Sequence, residues 1–308
     1  MSSEYGYTSA GRQAGHVRTG GSGARIKRVV LHVGLPKTGS STIQNMLRAN
    51  EEQLARQHGI RILLAPELKP LHRAIAALTR ASRPAPLRRI RVHLAVRLLR
   101  RRIASENAER IIVSHEMILG FNSGSMFKTR FHEGPAQAID ALRKVFRGYE
   151  MRWVFYQRDL ATAKRSAYNQ NVKLREVCAE FPDWEQEHCP DGVFDQLLRD
   201  LEAHLGEQLT RLDFDDAKHL ERPWGQGVLA LAGVSEAATR DLAAVPVVNE
   251  SLPPDLLDLK RRLNALGLSR KALRDIMILL EEAYQLQPQK SDPDRSLATK
   301  ADNERFRR

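Results

Sequence analysis

One short stretch constrains this chain more than any other: Arg28-Val-Val-Leu-His-Val-Gly-Leu-Pro-Lys-Thr-Gly-Ser-Ser-Thr-Ile-Gln-Asn-Met-Leu47. The aliphatic run predicts a strand over Arg28–Val33, and Gly34 to Gly39 predict a tight turn. Apolar residues at Ile43, Met46, Leu47 and Leu54 predict a helix over 40–57, with Ser41-Thr-Ile-Gln44 as a capping box at its start. A strand that feeds a helix through a glycine-bounded turn is an anion site. Unpaired N–H groups and the positive end of the helix dipole converge on the turn.

Gly34 and Gly39 have the spacing of the phosphate-binding loop G-x-x-x-x-G-K-[ST], yet Ser40 stands where that loop needs lysine. The lysine lies inside the turn instead, as Lys37 after Pro36. A second segment, Met151-Arg-Trp-Val-Phe-Tyr-Gln157, predicts a strand, followed by Arg158 and, eight residues later, Ser166 at the entry to a helix. An arginine fork and a serine hydroxyl are natural partners for a phosphate. A third strand is predicted over Arg110–Ser114, and the run Ile111-Ile-Val-Ser-His115-Glu116 puts two groups able to accept a proton at its end.

Pro36-Lys37-Thr38-Gly39-Ser40-Ser41 resembles the 5′-phosphosulfate loop of sulfotransferases that use 3′-phosphoadenylyl sulfate (PAPS). Arg158 and Ser166 resemble the pair that grips the 3′-phosphate in that family, and Tyr168-Asn169-Gln170 resembles its bacterial members. The resemblance covers roughly residues 28–214. It implies a P-loop NTPase-like sulfotransferase fold. It also implies transfer of a sulfuryl group from PAPS to a hydroxyl or amine of a small-molecule or carbohydrate acceptor, with adenosine 3′,5′-bisphosphate as product and no metal required. Lys37 would stabilise the leaving group, while Thr38, Gly39, Ser40 and Ser41, flanked by Pro36 and Thr42, would hold the phosphosulfate. His115 is the first choice as general base, because many members end this strand in Thr-His; Glu116 is the second. Tyr168 reads as packing. Two features depart from the animal pattern: Thr42 replaces an adenine-packing Trp, and the late Arg-Lys-Gly motif is not evident. The enzymatic rival is a P-loop kinase or NTPase, which needs Lys after Gly39 and a strand ending in a metal-binding Asp. The non-catalytic rival is a polyanion- or membrane-binding adaptor.

The rest of the chain predicts an α/β architecture: a mostly parallel sheet with helices on both faces and a helical C-terminal part. Further strands are expected at Ile60–Leu64 and Gln208–Phe214, and helices at 67–79, 87–105, 135–147, 160–173, 192–205, 225–233, 254–266 and 270–285. The acids of Leu212-Asp-Phe-Asp-Asp216 read as helix caps, Pro253-Pro254 as a helix start, and 119–134 as either an acceptor lid or an idle loop. Residues 1–25 read as a disordered glycine-rich arm, 26–286 as one domain and 287–308 as a polar tail. Neither a signal peptide nor a spanning segment is visible, which predicts a cytoplasmic protein, peripheral at most to a membrane. Cys178 and Cys189 read as free thiols, and the His and Cys spacing gives no metal site. Nine arginines (80, 83, 88, 89, 91, 97, 100, 101, 102) and no acid lie between residues 80 and 102, leaving only +3 for the remainder of the chain's net +12. With Ile90, Leu94, Leu98 and Leu99 among them, this stretch predicts a cationic amphipathic helix. Arg88–Arg102 is then a docking surface for an anionic acceptor or membrane, or a solvated face. No specific nucleic-acid motif accompanies it.

Overall fold

Among the described residues five strands stand where the apolar runs place them: β1 (Arg28–His32), β2 (Ile60–Leu63), β3 (Arg110–Ser114), β4 (Glu150–Gln157) and β5 (Leu209–Asp213). They come from a computed structural model that describes residues 27–35, 37–78, 85–106, 108–121, 124–175, 177–220, 223–246 and 252–286. The expected arm (1–25) and tail (287–308) lie outside the described residues, as do Pro36, Arg80 and Arg83. All pairings are parallel, in the order β2-β3-β1-β4-β5. The helices are α1 (Ser40–Ala49), α2 (Glu51–His58), α3 (Ala65–Leu78), α4 (Ala85–Glu106), α5 (Pro135–Val145), α6 (Leu160–Arg175) and α7 (Phe181–His188). They continue with α8 (Val193–Leu205), α9 (Phe214–Leu220), α10 (Gln226–Leu231), α11 (Glu236–Arg240), α12 (Pro254–Asn264) and α13 (Arg270–Leu286).

Side chains alternate across a strand, and a parallel sheet must cover both faces. Val29, Leu31, Ile111, Val113, Trp153 and Phe155 therefore share one apolar layer with α3 to α8. Val30, Ile112, Val154 and Tyr156 share the other with α1, α2, α9 and α10. The β1 connection runs to the β2 edge and the β4 connection to β5, so strand order reverses between β1 and β4. Ligands of such sheets bind outside the carboxyl ends at that point. Gly34–Ser41, Glu116 and Arg158 all leave strands there.

Two local expectations need correction. The helix over 40–57 is broken at the buried Asn50. Its amide donates to Met46 O (2.9 Å) and Ala243 O (3.1 Å) and accepts from Ala243 N (2.8 Å), so the side chain takes up groups a continuous helix would use. Ser41 opens no capping box, because Gly39, left-handed at φ 72°, is the residue at the helix start. Of the four aliphatics that mark α4 in the sequence only Leu99 is buried; Ala95, Val96 and Ile103 complete the packed face, while Ile90, Leu94 and Leu98 are exposed. In the 119–134 segment Leu119, Phe121, Met126 and Phe127 are buried, the last packed edge-on against Phe194 at 5.2 Å. Asp213 caps α9 as read, accepting from Asp216 N at 2.9 Å. Tyr168 packs, its hydroxyl donating to Ala179 O at 2.9 Å. Neither Cys178 nor Cys189 is in a disulfide.

Candidate active site

The site is built where β1 stops. After Leu35 the chain reverses through Lys37 (φ 74°) and Gly39 (φ 72°), and Lys37 is the one non-glycine residue with positive φ among the described residues. A left-handed conformation at a lysine is strained by roughly 1–2 kcal/mol, and such strain concentrates at functional loops. The Thr38 hydroxyl fixes the turn by donating to Leu35 O at 2.6 Å. Two glycines are needed because the loop is crowded. A Cβ on Gly34 would come within 2.7 Å of Ser40 Oγ, and one on Gly39 within 2.7 Å of the Trp224 ring. α1 then starts with no acid in its first turn and no side-chain cap, so its first N–H groups and dipole face the loop.

Lys37 Nζ donates to Gln170 Oε1 at 3.0 Å, which ties the loop to α6. Ser166, Gln170 and Lys173 are spaced along one face of that helix. Glu116, Arg158 and Lys173 all act electrostatically on Lys37. Burial lowers the Lys37 pKa, Glu116 opposes the shift, and the two cations add to it. Burial raises the Glu116 pKa, against the pull of Lys37 and of the Ser40 hydroxyl. Ser40 lies near that carboxyl, but the contact is too loose to satisfy it: Oγ is buried without a hydrogen-bond partner. At the end of β4, Arg158 stacks over Phe214, 4.7 Å from the ring centroid, and Phe214 meets Trp224 edge-on at 5.3 Å. Asp159 opens α6 by accepting from Thr162 N at 2.9 Å.

His115 is placed differently. Its ring lies 4.8 Å from that of His72 on α3, and its Nδ1 accepts from Met117 N at 3.2 Å, leaving the proton on Nε2. Burial, and secondarily His72, lower its pKa to about 4. The two adjacent proton acceptors thus diverge: Glu116 joins Lys37, and His115 joins α3. His32, which sequence reasoning passed over, lies beneath the loop. It is fully buried, with Nδ1 2.8 Å from Ser114 Oγ, Nε2 unpartnered, and a pKa lowered by burial to about 4.

The structure thus gathers Lys37, Thr38, Gly39, Ser40, Glu116 and Arg158 around one loop, with Ser41 and Thr42 on the first turn of α1 and Ser166 buried on α6. Pro36 lies outside the described residues. Sequence reasoning missed Gln170 as the lysine's anchor, Lys173, and Trp224. The last lies 185 residues from the glycine it covers, and no local pattern announces it. Buried donors around the loop lack acceptors: Ser40 Oγ, Arg158 Nε and Trp224 Nε1. Buried polar groups are nearly always satisfied, so these suit a ligand rich in acceptor oxygens. No group of three or more His, Cys, Asp or Glu able to hold a metal occurs among the described residues. No protein-family model matches this chain, and no curated protein matches its sequence.

Proposed function

We propose that this protein is a PAPS-dependent sulfotransferase on a P-loop-like α/β fold. The observation that carries the reading is the position of Lys37: inside the turn, anchored by Gln170, and facing Glu116 and Arg158. A nucleotide kinase loop needs its lysine after the second glycine and an Asp at the end of a neighbouring strand, where this chain has Ser114-His115-Glu116. PAPS brings an activated sulfuryl group on a 5′-phosphate and a second, 3′-phosphate. The α1 N-terminus, Thr38, Gly39, Ser40 and Ser41 would hold the phosphosulfate; Arg158 and Ser166 would hold the 3′-phosphate. Trp224 offers aromatic surface beside the loop, where Thr42 offers none.

Glu116, rather than His115, is then the better general base. Its raised pKa brings it nearer neutrality, it shares the loop with Lys37, and the His115 tautomer keeps its Nε2 protonated. An acceptor hydroxyl would give its proton to Glu116 as its oxygen bonds to sulfur. The bond from sulfur to the 5′-phosphate oxygen breaks, and Lys37 balances the charge left on that oxygen.

The test is ligand-dependent stability. Adenosine 3′,5′-bisphosphate is expected to raise the melting temperature by mass action, with ATP and AMP at equal concentration doing much less. Equal stabilisation by ATP, enhanced by magnesium, would turn the assignment to a kinase.

A further inference from the structure

We propose that α4 and the groove between α3 and α4 form a docking surface for an anionic lipid bilayer, an inference independent of the sulfotransferase reading. α4 carries two apolar stripes, and only one is used for packing. Ala95, Val96, Leu99 and Ile103 are buried. Leu87, Ile90, Leu94 and Leu98 remain 54%, 54%, 51% and 63% exposed. At about 100° per residue these four fall within about 80° of arc, nearly opposite the buried stripe. Arg97 borders one edge, Arg91 and Arg102 border the other, and Arg101 lies among the aliphatics. Beside them is a groove of about 450 Å³, with Lys69 and Arg73 of α3 facing Arg91, Leu94 and Leu98 of α4.

The charge is one-sided. α4 holds no acid before Glu106, which is occupied by Arg61 (2.9 Å) and Arg102 (3.3 Å). Glu67 of α3 is turned to the backbone of its own helix start, accepting from Leu64 N at 3.3 Å. A nucleic acid would use the arginines and gain nothing from an aliphatic stripe that lacks aromatic platforms. A bilayer uses both: the leucines sink into the acyl boundary, and the arginines on either edge reach the headgroups. α3 also links this face to the candidate active site, since His72 touches His115 and its neighbour Arg73 lines the groove.

The experiment is flotation of the full chain with phosphatidylserine–phosphatidylcholine vesicles and with phosphatidylcholine alone. The expected result is binding to the first only, weakened by salt. Arg97→Glu with Arg100→Glu and Arg101→Glu should lower the affinity at least tenfold, and so should the charge-neutral pair Leu94→Asn and Leu98→Asn. Leu87→Asn with Ile90→Asn serves as a second apolar probe, and retained melting temperatures show that each variant folds. Absence of flotation overturns the proposal. So does loss in the arginine variant with full binding in both asparagine variants, the pattern of a site for soluble acidic partners or nucleic acid.

Discussion

Replacing Gly39 by Ala tests the geometry of the loop without touching a charge. Two penalties are expected. Gly39 has φ 72°, which an L side chain adopts at about 1–2 kcal/mol. The new methyl would also lie 2.7–2.8 Å from three atoms of the Trp224 ring, and that ring is held by Phe214, on which Arg158 stacks. Overpacking of this kind costs about 1–3 kcal/mol. The sum is about 2–5 kcal/mol, or a fall in Tm on the order of 3–10 °C for a chain of this size. Gly59 supplies the control: it has nearly the same conformation, φ 61°, and a Cβ there meets nothing within 4 Å. Gly59→Ala should carry the backbone penalty alone, about 1–2 kcal/mol. Any gain from a stiffer unfolded chain is common to both variants and drops out of their difference. In a Trp224→Ala background the cost of Gly39→Ala should fall to the Gly59 value, a coupling of about 1–3 kcal/mol. The assay is thermal or urea unfolding of the four variants. If Gly39→Ala costs no more than Gly59→Ala in the wild-type background, Trp224 does not cover the loop.

Glu116→Gln should raise Tm at neutral pH and leave it unchanged below about pH 4. Burial holds the folded pKa above the unfolded value, so the ionised form burdens the fold only above that range. Equal melting temperatures at pH 7 would contradict it. The same variant should lose turnover by about 10²- to 10⁴-fold, with His115→Ala losing less; the reverse ranking in steady-state assays would return the base to His115. Wild-type turnover should fall as pH drops through the raised Glu116 pKa, so its acid limb should lie above the ordinary glutamate value of about 4.3, and a limb at or below that value would exclude Glu116 as base. Arg158→Ala should erase the preference for adenosine 3′,5′-bisphosphate over AMP in binding titrations while Tm without ligand changes little; an intact preference would place the 3′-phosphate elsewhere.

Much of the fold was legible because parallel strands buried on both faces read as near-continuous aliphatic runs, as Val29-Val30-Leu31 and Ile111-Ile112-Val113 do. Strand order was not legible, since it is set by which helices cover which face. α7 escaped notice because Phe181-Pro-Asp-Trp-Glu-Gln-Glu-His188 is short and buries only Trp184. Which face of α4 packs was not legible for a related reason: with leucines on both sides of the helix, periodicity fits either side, and the larger aliphatics are the exposed ones. At the site, the strand-loop-helix unit and Arg158 announced themselves by chemistry close in sequence. Gln170 and Trp224 did not, because their roles depend on contacts 133 and 185 residues away. The divergence of His115 from Glu116 followed from strand alternation; that Glu116 is the one beside Lys37 required the packing of α3 against His115.

The central claim, that the Lys37 loop positions a phosphosulfate for transfer, is tested most directly by supplying PAPS with cell extract and following adenosine 3′,5′-bisphosphate release alongside a mass-spectrometric search for sulfated products. The account predicts stoichiometric release and sulfation by the wild type, without added divalent metal, and a large loss of both in Lys37→Met with bisphosphate binding retained. Magnesium-dependent release of phosphate from ATP, with no sulfated product from PAPS, would contradict it.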